Sequence, residues 1–249
     1  MTDWPYPRLF AHRGGGALAP ENTLAALELG ARLGYRASEF DVKLSRDAVP
    51  FLLHDTTLER TTNGTGIAGE LDWASLQALD AGAWHSPPFR GEPLPPLEEV
   101  ARFIVARGLL ANVEIKPTPG RARETGAAVA RACARLWAGA PVAPLLSSFD
   151  YEALEAAREA APQLPRGWLV ESPEEDDFAR LAGVEAVSLH CSHKAVTPEL
   201  VARLHGRGLR LLAWTVNDPE RAERLLGWGV DGLFTDSLDV FARRFPQHL

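Results

Sequence analysis

Hydrophobic and polar positions follow two rhythms along this chain. Short apolar runs occur at 8–12, 37–44, 49–54, 109–116, 144–149, 167–171, 186–190, 210–216 and 232–235. Runs of this length, bounded by turn residues, predict strands. Between most of them lie Ala/Leu/Arg-rich stretches at 22–33, 121–137, 151–161, 173–181, 198–208 and 219–227, which predict helices. Leu200, Val201 and Leu204 recur at helical spacing, as do Ala222, Leu225 and Leu226. Start signals agree with this pattern. Asp218-Pro219, Thr197-Pro198 and Ser172-Pro173 each predict a capping side chain followed by proline at the first helical position. Gly34, Gly208 and Gly229 stand where left-handed C-caps are expected.

Alternating strands and helices predict parallel strands joined by right-handed crossovers. With run 49–54 taken as an extension paired to the second strand, eight strand–helix units remain. Eight units in 249 residues predict an α/β fold, a single (β/α)8 TIM barrel rather than an open doubly wound sheet. Segment 55–96 breaks the rhythm. It carries Asn63-Gly64, Pro87-Pro88 and Pro95-Pro96, all turn signals. Long irregular segments inside a domain are usually functional or small insertions. The chain 1–249 therefore reads as one barrel domain with 55–96 inserted after the second strand, over one rim.

Composition narrows the function. At 46% hydrophobic and 24% charged the chain is an ordinary globular protein. With 26 Lys+Arg against 33 Asp+Glu the net charge is −7, which argues against a nucleic-acid partner. Cys133 and Cys191 form neither a disulfide framework nor a metal-ligand spacing, and read as packed free thiols. The opening residues, with an acid at Asp3 and two early prolines, lack the basic start and apolar run of a signal peptide. No uninterrupted apolar stretch reaches the roughly 18 residues of a membrane span. These features predict a cytoplasmic chain with no stable membrane insertion.

Candidate chemistry gathers at strand ends. Alternate strand residues share a face, so Glu39, Asp41 and Lys43 point one way and Phe40 and Val42 the other. Asn112, Glu114 and Lys116 repeat the pattern opposite Val113 and Ile115. A solvated edge strand fits poorly in a buried parallel sheet. Inward carboxylates are costly unless paired or bound to a cation. Glu39, Asp41 and Glu114 form an all-oxygen set suited to one hard divalent cation, Mg2+ or Ca2+, with Lys–Glu pairing inside the barrel as the alternative. His12 and His54 end strands on the same rim, the end where barrel active sites form. Imidazole suits proton transfer near neutral pH. Arg13 beside His12 suits a phosphate, and the Gly14–Gly16 run lets backbone approach a ligand. Trp214 reads as either a core aromatic or an apolar wall for substrate, and His190 as a candidate pocket contact. His85, His193, His205 and His248 have no such placement.

The residues resemble the glycerophosphodiester phosphodiesterase family. The matching segments are Ala11-His12-Arg13-Gly14, Pro20-Glu21-Asn22-Thr23, Glu39-Phe40-Asp41-Val42 and His54-Asp55. They continue with Arg60-Thr61-Thr62-Asn63-Gly64, Glu114-Ile115-Lys116, Trp214-Thr215-Val216-Asn217 and Asp231 to Asp236. Their order and spacing together, over about 8–245, carry the specificity. The resemblance implies a TIM barrel with an insertion and hydrolysis of glycerophosphodiesters to sn-glycerol 3-phosphate and an alcohol. It implies a divalent cation at Glu39, Asp41 and Glu114, and His12 and His54 as the acid/base pair. Arg13 and Lys116 would then contact phosphate. Two departures stand out: Ser237-Leu238 where the family ends in aromatic-Pro after Thr-Asp, and Pro96 where it often has Thr. A lysophospholipase D-type enzyme and a non-catalytic barrel that binds a phosphodiester or polyol phosphate are the other readings. Net charge does not exclude a phosphate ligand, because Arg13, Lys43 and Lys116 gather positive charge at the predicted site.

Overall fold

A computed structural model describes residues 4–249; Asp3 lies outside them. Eight parallel strands close into a barrel: β1 (Leu9–Ala11), β2 (Ala37–Leu44), β4 (Leu110–Ile115), β5 (Leu145–Ser148), β6 (Arg166–Val170), β7 (Ser188–Ser192), β8 (Arg210–Trp214) and β9 (Gly232–Thr235). Pairing of β1 with both β9 and β2 completes the ring. The short β3 (Pro50–Leu52) runs antiparallel to β2, Val42 opposite Leu52, outside the ring. Run 49–54 is thus the extension its sequence predicts.

Helices cover the barrel: α1 (Leu24–Arg32), α2 (Trp73–Leu76), α3 (Leu97–Ala106), α4 (Ala122–Leu136), α5 (Tyr151–Ala160), α6 (Asp177–Gly183), α7 (Pro198–His205), α8 (Pro219–Gly227) and α9 (Leu238–Arg244). The Thr197 and Asp218 side chains cap α7 and α8, accepting from Leu200 N and Glu220 N. Gly34, Gly208 and Gly229 take the left-handed backbone. The expectation of a helix from 173 is corrected. There the Asp177 carboxylate accepts from Glu174 N at 2.8 Å and Trp168 Nε1 at 2.9 Å, and residues 175–176 form a turn ahead of α6. Asp176, not Ser172, stands at the cap position. Helix α9 has no side-chain cap to announce it; buried Leu238 and Phe241 anchor it instead.

Outward faces of the strands pack under the helices. Phe40, Val42, Val113 and Ile115 meet α3 and α4 residues such as Val100 and Val129 in one core. Leu189, Cys191, Leu211 and Ala213 meet Val201 and Leu225 in another. Inside the ring, Tyr6, Phe10, Leu145, Leu212 and Phe234 form an apolar cluster. Segment 55–96 has its own small core of Leu58, Ala68, Leu76, Ala81 and Leu94, joined to Phe51 and Leu53. Pro96 pairs with Phe51 and begins α3 without a capping hydroxyl.

Candidate active site

The inward face of β2 and β4 builds the centre. Register places Glu39 beside Asn112 and Asp41 beside Glu114. Ligand-capable oxygens of Glu39, Asp41 and Glu114 lie within 4.8 Å of one another, all in a largely buried setting. Asn22 grips Asp41 from both sides, its Nδ2 donating to Oδ2 at 2.8 Å and its Oδ1 accepting from Asp41 N at 3.0 Å. Burial and the neighbouring Asp41 charge push Glu39 and Glu114 well above the usual carboxylate range. Asp41 moves down: burial would raise it, but the Arg13 charge and other nearby groups outweigh that. Glu39 Oε1 has no hydrogen-bond partner among the described residues. Lys116 Nζ stands 2.9 Å from Glu114 Oε1 as an ion pair without an aligned hydrogen bond. Three crowded carboxylates, with Glu39 Oε1 and Glu114 Oε1 lacking a hydrogen bond, fit a divalent cation.

Each histidine at the rim is held by an aspartate. His12 Nδ1 meets Asp236 Oδ1 at 2.6 Å, and His54 Nδ1 meets Asp55 Oδ1 at 2.7 Å. The aspartates fix each ring through Nδ1 and leave Nε2 for other work. His12 Nε2 lies 3.8 Å from Glu39 Oε2. Burial alone would lower the His12 pKa, but the Asp236 bond and the Glu39 charge more than offset it, and it rises. For His54 burial dominates and the pKa falls.

Arg13 sits between these groups in a left-handed backbone, φ 51°. Its Nη1 donates to Glu21 Oε1 at 2.6 Å, and its Nε lies 3.6 Å from Asp41 Oδ2. Arg60 makes paired bonds to Glu21 (2.7 and 2.8 Å) and to Asp55 (2.6 and 3.0 Å). A charged chain therefore runs His54–Asp55–Arg60–Glu21–Arg13. Of the residues placed at the site from sequence, His12, Arg13, Glu39, Asp41, His54, Glu114, Lys116 and Trp214 line one pocket of about 240 Å3, whereas Lys43 does not.

The model of the glycerophosphoryl diester phosphodiesterase family matches residues 12–240. The chain belongs to this family. A glycerophosphodiester phosphodiesterase of Caldanaerobacter subterraneus subsp. tengcongensis is 34% identical over 232 residues, 92% of this chain and 93% of the relative. One from Bacillus subtilis is 31% identical over 249 residues, 93% of this chain and 84% of the relative. A solved phosphodiesterase of Oleispira antarctica, in complex with the product sn-glycerol-3-phosphate, superposes with a TM-score of 0.90 at 33% identity. That match covers 97% of each chain.

Within this family member, Trp214 stands edge-on to Phe149, ring centroids 5.4 Å apart, forming an aromatic side of the pocket. Phe149 is exposed and faces Lys116 Nζ at 5.4 Å from its ring centroid. Lys43 shares the acid-bearing face but is buried: its Nζ donates to Lys116 O at 3.1 Å, and burial lowers its pKa to about 8. His190 lines the pocket, whereas His193, His205 and His248 do not. His85 reaches Ala17 O at 3.2 Å beside a second cavity that also touches His12. Sequence reasoning gave no role to Asp236, Asp55, Glu21, Asn22 or Arg60. Asp55 follows His54 directly, and Asp236 ends the last strand as His12 ends the first, which are the signals that point to them. The departure at Ser237-Leu238 leaves the last loop intact: Leu238 is buried in the core, and Ser237 N donates to Thr235 Oγ1 at 3.1 Å.

Proposed function

We propose that this chain hydrolyses glycerophosphodiesters to sn-glycerol 3-phosphate and an alcohol, with one divalent cation, Mg2+ or Ca2+, and a histidine acid/base pair. The observation that carries this reading is the placement of two Asp-anchored histidines around three crowded carboxylates in one pocket. The product held by the Oleispira antarctica relative supports the substrate class.

Glu39, Asp41 and Glu114 would hold the cation. When bound, such a cation supplies Lewis-acid stabilisation of charge on phosphoryl oxygens. Arg13 and Lys116 contact the phosphate and neutralise charge that grows in the transition state. One histidine takes the proton of the attacking group, water or the neighbouring glycerol hydroxyl. The other protonates the departing alkoxide, which leaves poorly as an anion. Trp214 gives the substrate an apolar wall. Residues 1–249 act as one barrel domain with 55–96 inserted over the rim. The chain works in the cytoplasm on a small-molecule substrate, without nucleic acid. Among the described residues no helix is long and apolar enough to cross a membrane.

The test is release of glycerol 3-phosphate from glycerophosphocholine by purified protein, with Mg2+, with Ca2+ and with EDTA. Turnover that EDTA abolishes and metal restores is the expected result. Binding of the diester with no turnover under any metal would instead identify a non-catalytic barrel.

A further inference from the structure

The pocket does not end at the carboxylates. Asn112 precedes Glu114 by two positions on β4, so it shares the inward face about 6–7 Å deeper along the strand. Its Nδ2 donates to Ser147 Oγ at 2.9 Å. Its Oδ1 is buried with no partner among the described residues. On β7, His190 Nε2 meets Ser188 Oγ at 2.9 Å, and its Nδ1 has no partner among the described residues. Asn112 is 1% and His190 0% exposed, and both line the pocket. Gly167 makes the room: a Cβ there would lie 2.4 Å from His190 Nε2. Phe234 leans on the imidazole at 5.6 Å and belongs, with Phe10, Leu145 and Leu212, to the apolar cluster inside the barrel.

This is a polar floor between the carboxylates and that cluster, and the acid/base chemistry does not use it. Buried polar atoms are expected to find partners. The chemistry of the unmet atoms selects the partner. Asn112 Oδ1 repels an anion. The carboxylate beside Asn112 in register, Glu39, already belongs with Asp41 and Glu114 to the candidate cation set, and neither Ser147, Ser188 nor His190 brings a charge to hold a second cation. Burial keeps His190 uncharged. With Ser188 Oγ donating to Nε2, the ring proton sits on Nδ1, and the complement of that N–H donor and the Asn112 amide oxygen is a neutral group that both donates and accepts, which a hydroxyl does.

We propose that Asn112 and His190 form a hydroxyl-recognition floor that takes the terminal hydroxyl of the substrate's glycerol arm and sets specificity for it. The proposal rests on the phosphodiesterase reading above and adds a discriminating subsite to it. A site built to hydrogen-bond a hydroxyl rejects the analogue without it, because its own buried groups are then left unpaired.

The probe pair is sn-glycerol 3-phosphate and 2-hydroxypropyl phosphate, which keeps the inner hydroxyl and lacks the terminal one. Calorimetry with Mg2+ or Ca2+ present reads binding without turnover. Wild type is expected to prefer the glycerol compound by at least ~10-fold. Asn112→Leu and His190→Leu are each expected to bring the two ligands within about 3-fold while affinity for 2-hydroxypropyl phosphate stays near wild type. Hydrolysis of glycerophosphocholine and its 2-hydroxypropyl counterpart should show the same ratios. Equal binding by wild type, no binding of either compound, or a preference that survives both substitutions overturns the floor. If the variants fold poorly, a crystal structure of wild type with sn-glycerol 3-phosphate decides. The terminal hydroxyl within hydrogen-bond distance of Asn112 Oδ1 or His190 Nδ1 supports the proposal. A hydroxyl pointing elsewhere, with water on the floor, sinks it. A binding preference without hydrolysis of any diester leaves the floor standing and removes the phosphodiesterase reading.

Discussion

His12 and Asp236 meet at 2.6 Å across the seam where β9 closes onto β1. Register puts Ala11 opposite Thr235, so the next residue of each strand faces the other over the rim. Asn217 supports the aspartate from β8's side, its Nδ2 donating to Asp236 Oδ2 at 3.0 Å. Gly16 lets the loop after His12 close on the same point. Its φ is +55°, and a Cβ would lie 2.3 Å from Asp236 O.

Removing the aspartate should therefore damage proton transfer without emptying the site. Asp236→Asn is expected to lower kcat about 10-fold or more with little change in KM, since it frees the ring tautomer. His12→Ala and His54→Ala should each lower kcat by at least ~100-fold. Steady-state kinetics on glycerophosphocholine check both; near-wild-type turnover of either histidine variant would exclude that residue from the chemistry.

Arg60 ties two functional residues together through carboxylates. Arg60→Ala is expected to lower kcat through the loosened Asp55–His54 pair and to raise KM through the loosened Glu21–Arg13 pair. Arg60→Lys should not restore either, because an ammonium lacks the planar fork that spans two carboxylates. Unchanged kcat and KM in Arg60→Ala, with a normal Tm, would show that the chain of charges does not reach the site.

The crowded carboxylates give a stability test independent of turnover. Without metal, Glu39→Gln should be more stable than wild type above about pH 8, where it removes a buried charge beside Asp41, and close to wild type below that, where Glu39 is already protonated. Adding Mg2+ or Ca2+ should raise the Tm of wild type, with about 2.7 kcal/mol expected at 100 times Kd. Glu39→Gln should show little or no shift. An equal shift in both proteins places the ion elsewhere.

His190 predicts an acid limb of stability. Burial lowers its pKa from 6.5 to about 3, so between those values the unfolded chain binds a proton that the folded chain refuses. Stability is then fully present above pH 6.5 and falls as pH drops toward 3, by up to about 1.4 kcal/mol per pH unit. Denaturant melts across that window should be flatter for His190→Leu than for wild type. Identical slopes would show that the imidazole titrates normally.

Much of this molecule was legible in one dimension. Period-two alternation put Glu39 with Asp41 and Asn112 with Glu114, because strand geometry alone decides which side chains share a face. The end of β1 placed His12 on the rim; His54 reaches the same rim only because β3 returns antiparallel beside β2 and Leu53 N donates to Asp41 O at 3.1 Å. Local chemistry also set the caps at Thr197 and Asp218, which act within their own helices. It failed at Ser172, where a tertiary bond from Asp177 to Trp168 outweighs the local signal. Pairings between distant segments needed the closed ring. His12 with Asp236 is separated by 224 positions and Arg60 with Glu21 by 39, and no periodicity encodes such distances. The polar floor is of the same kind: Asn112 and His190 lie on separate strands, and closure of the barrel sets both into one pocket. Sequence determined which groups could do chemistry; barrel closure decided which of them meet, because only the tertiary fold brings them within hydrogen-bond range.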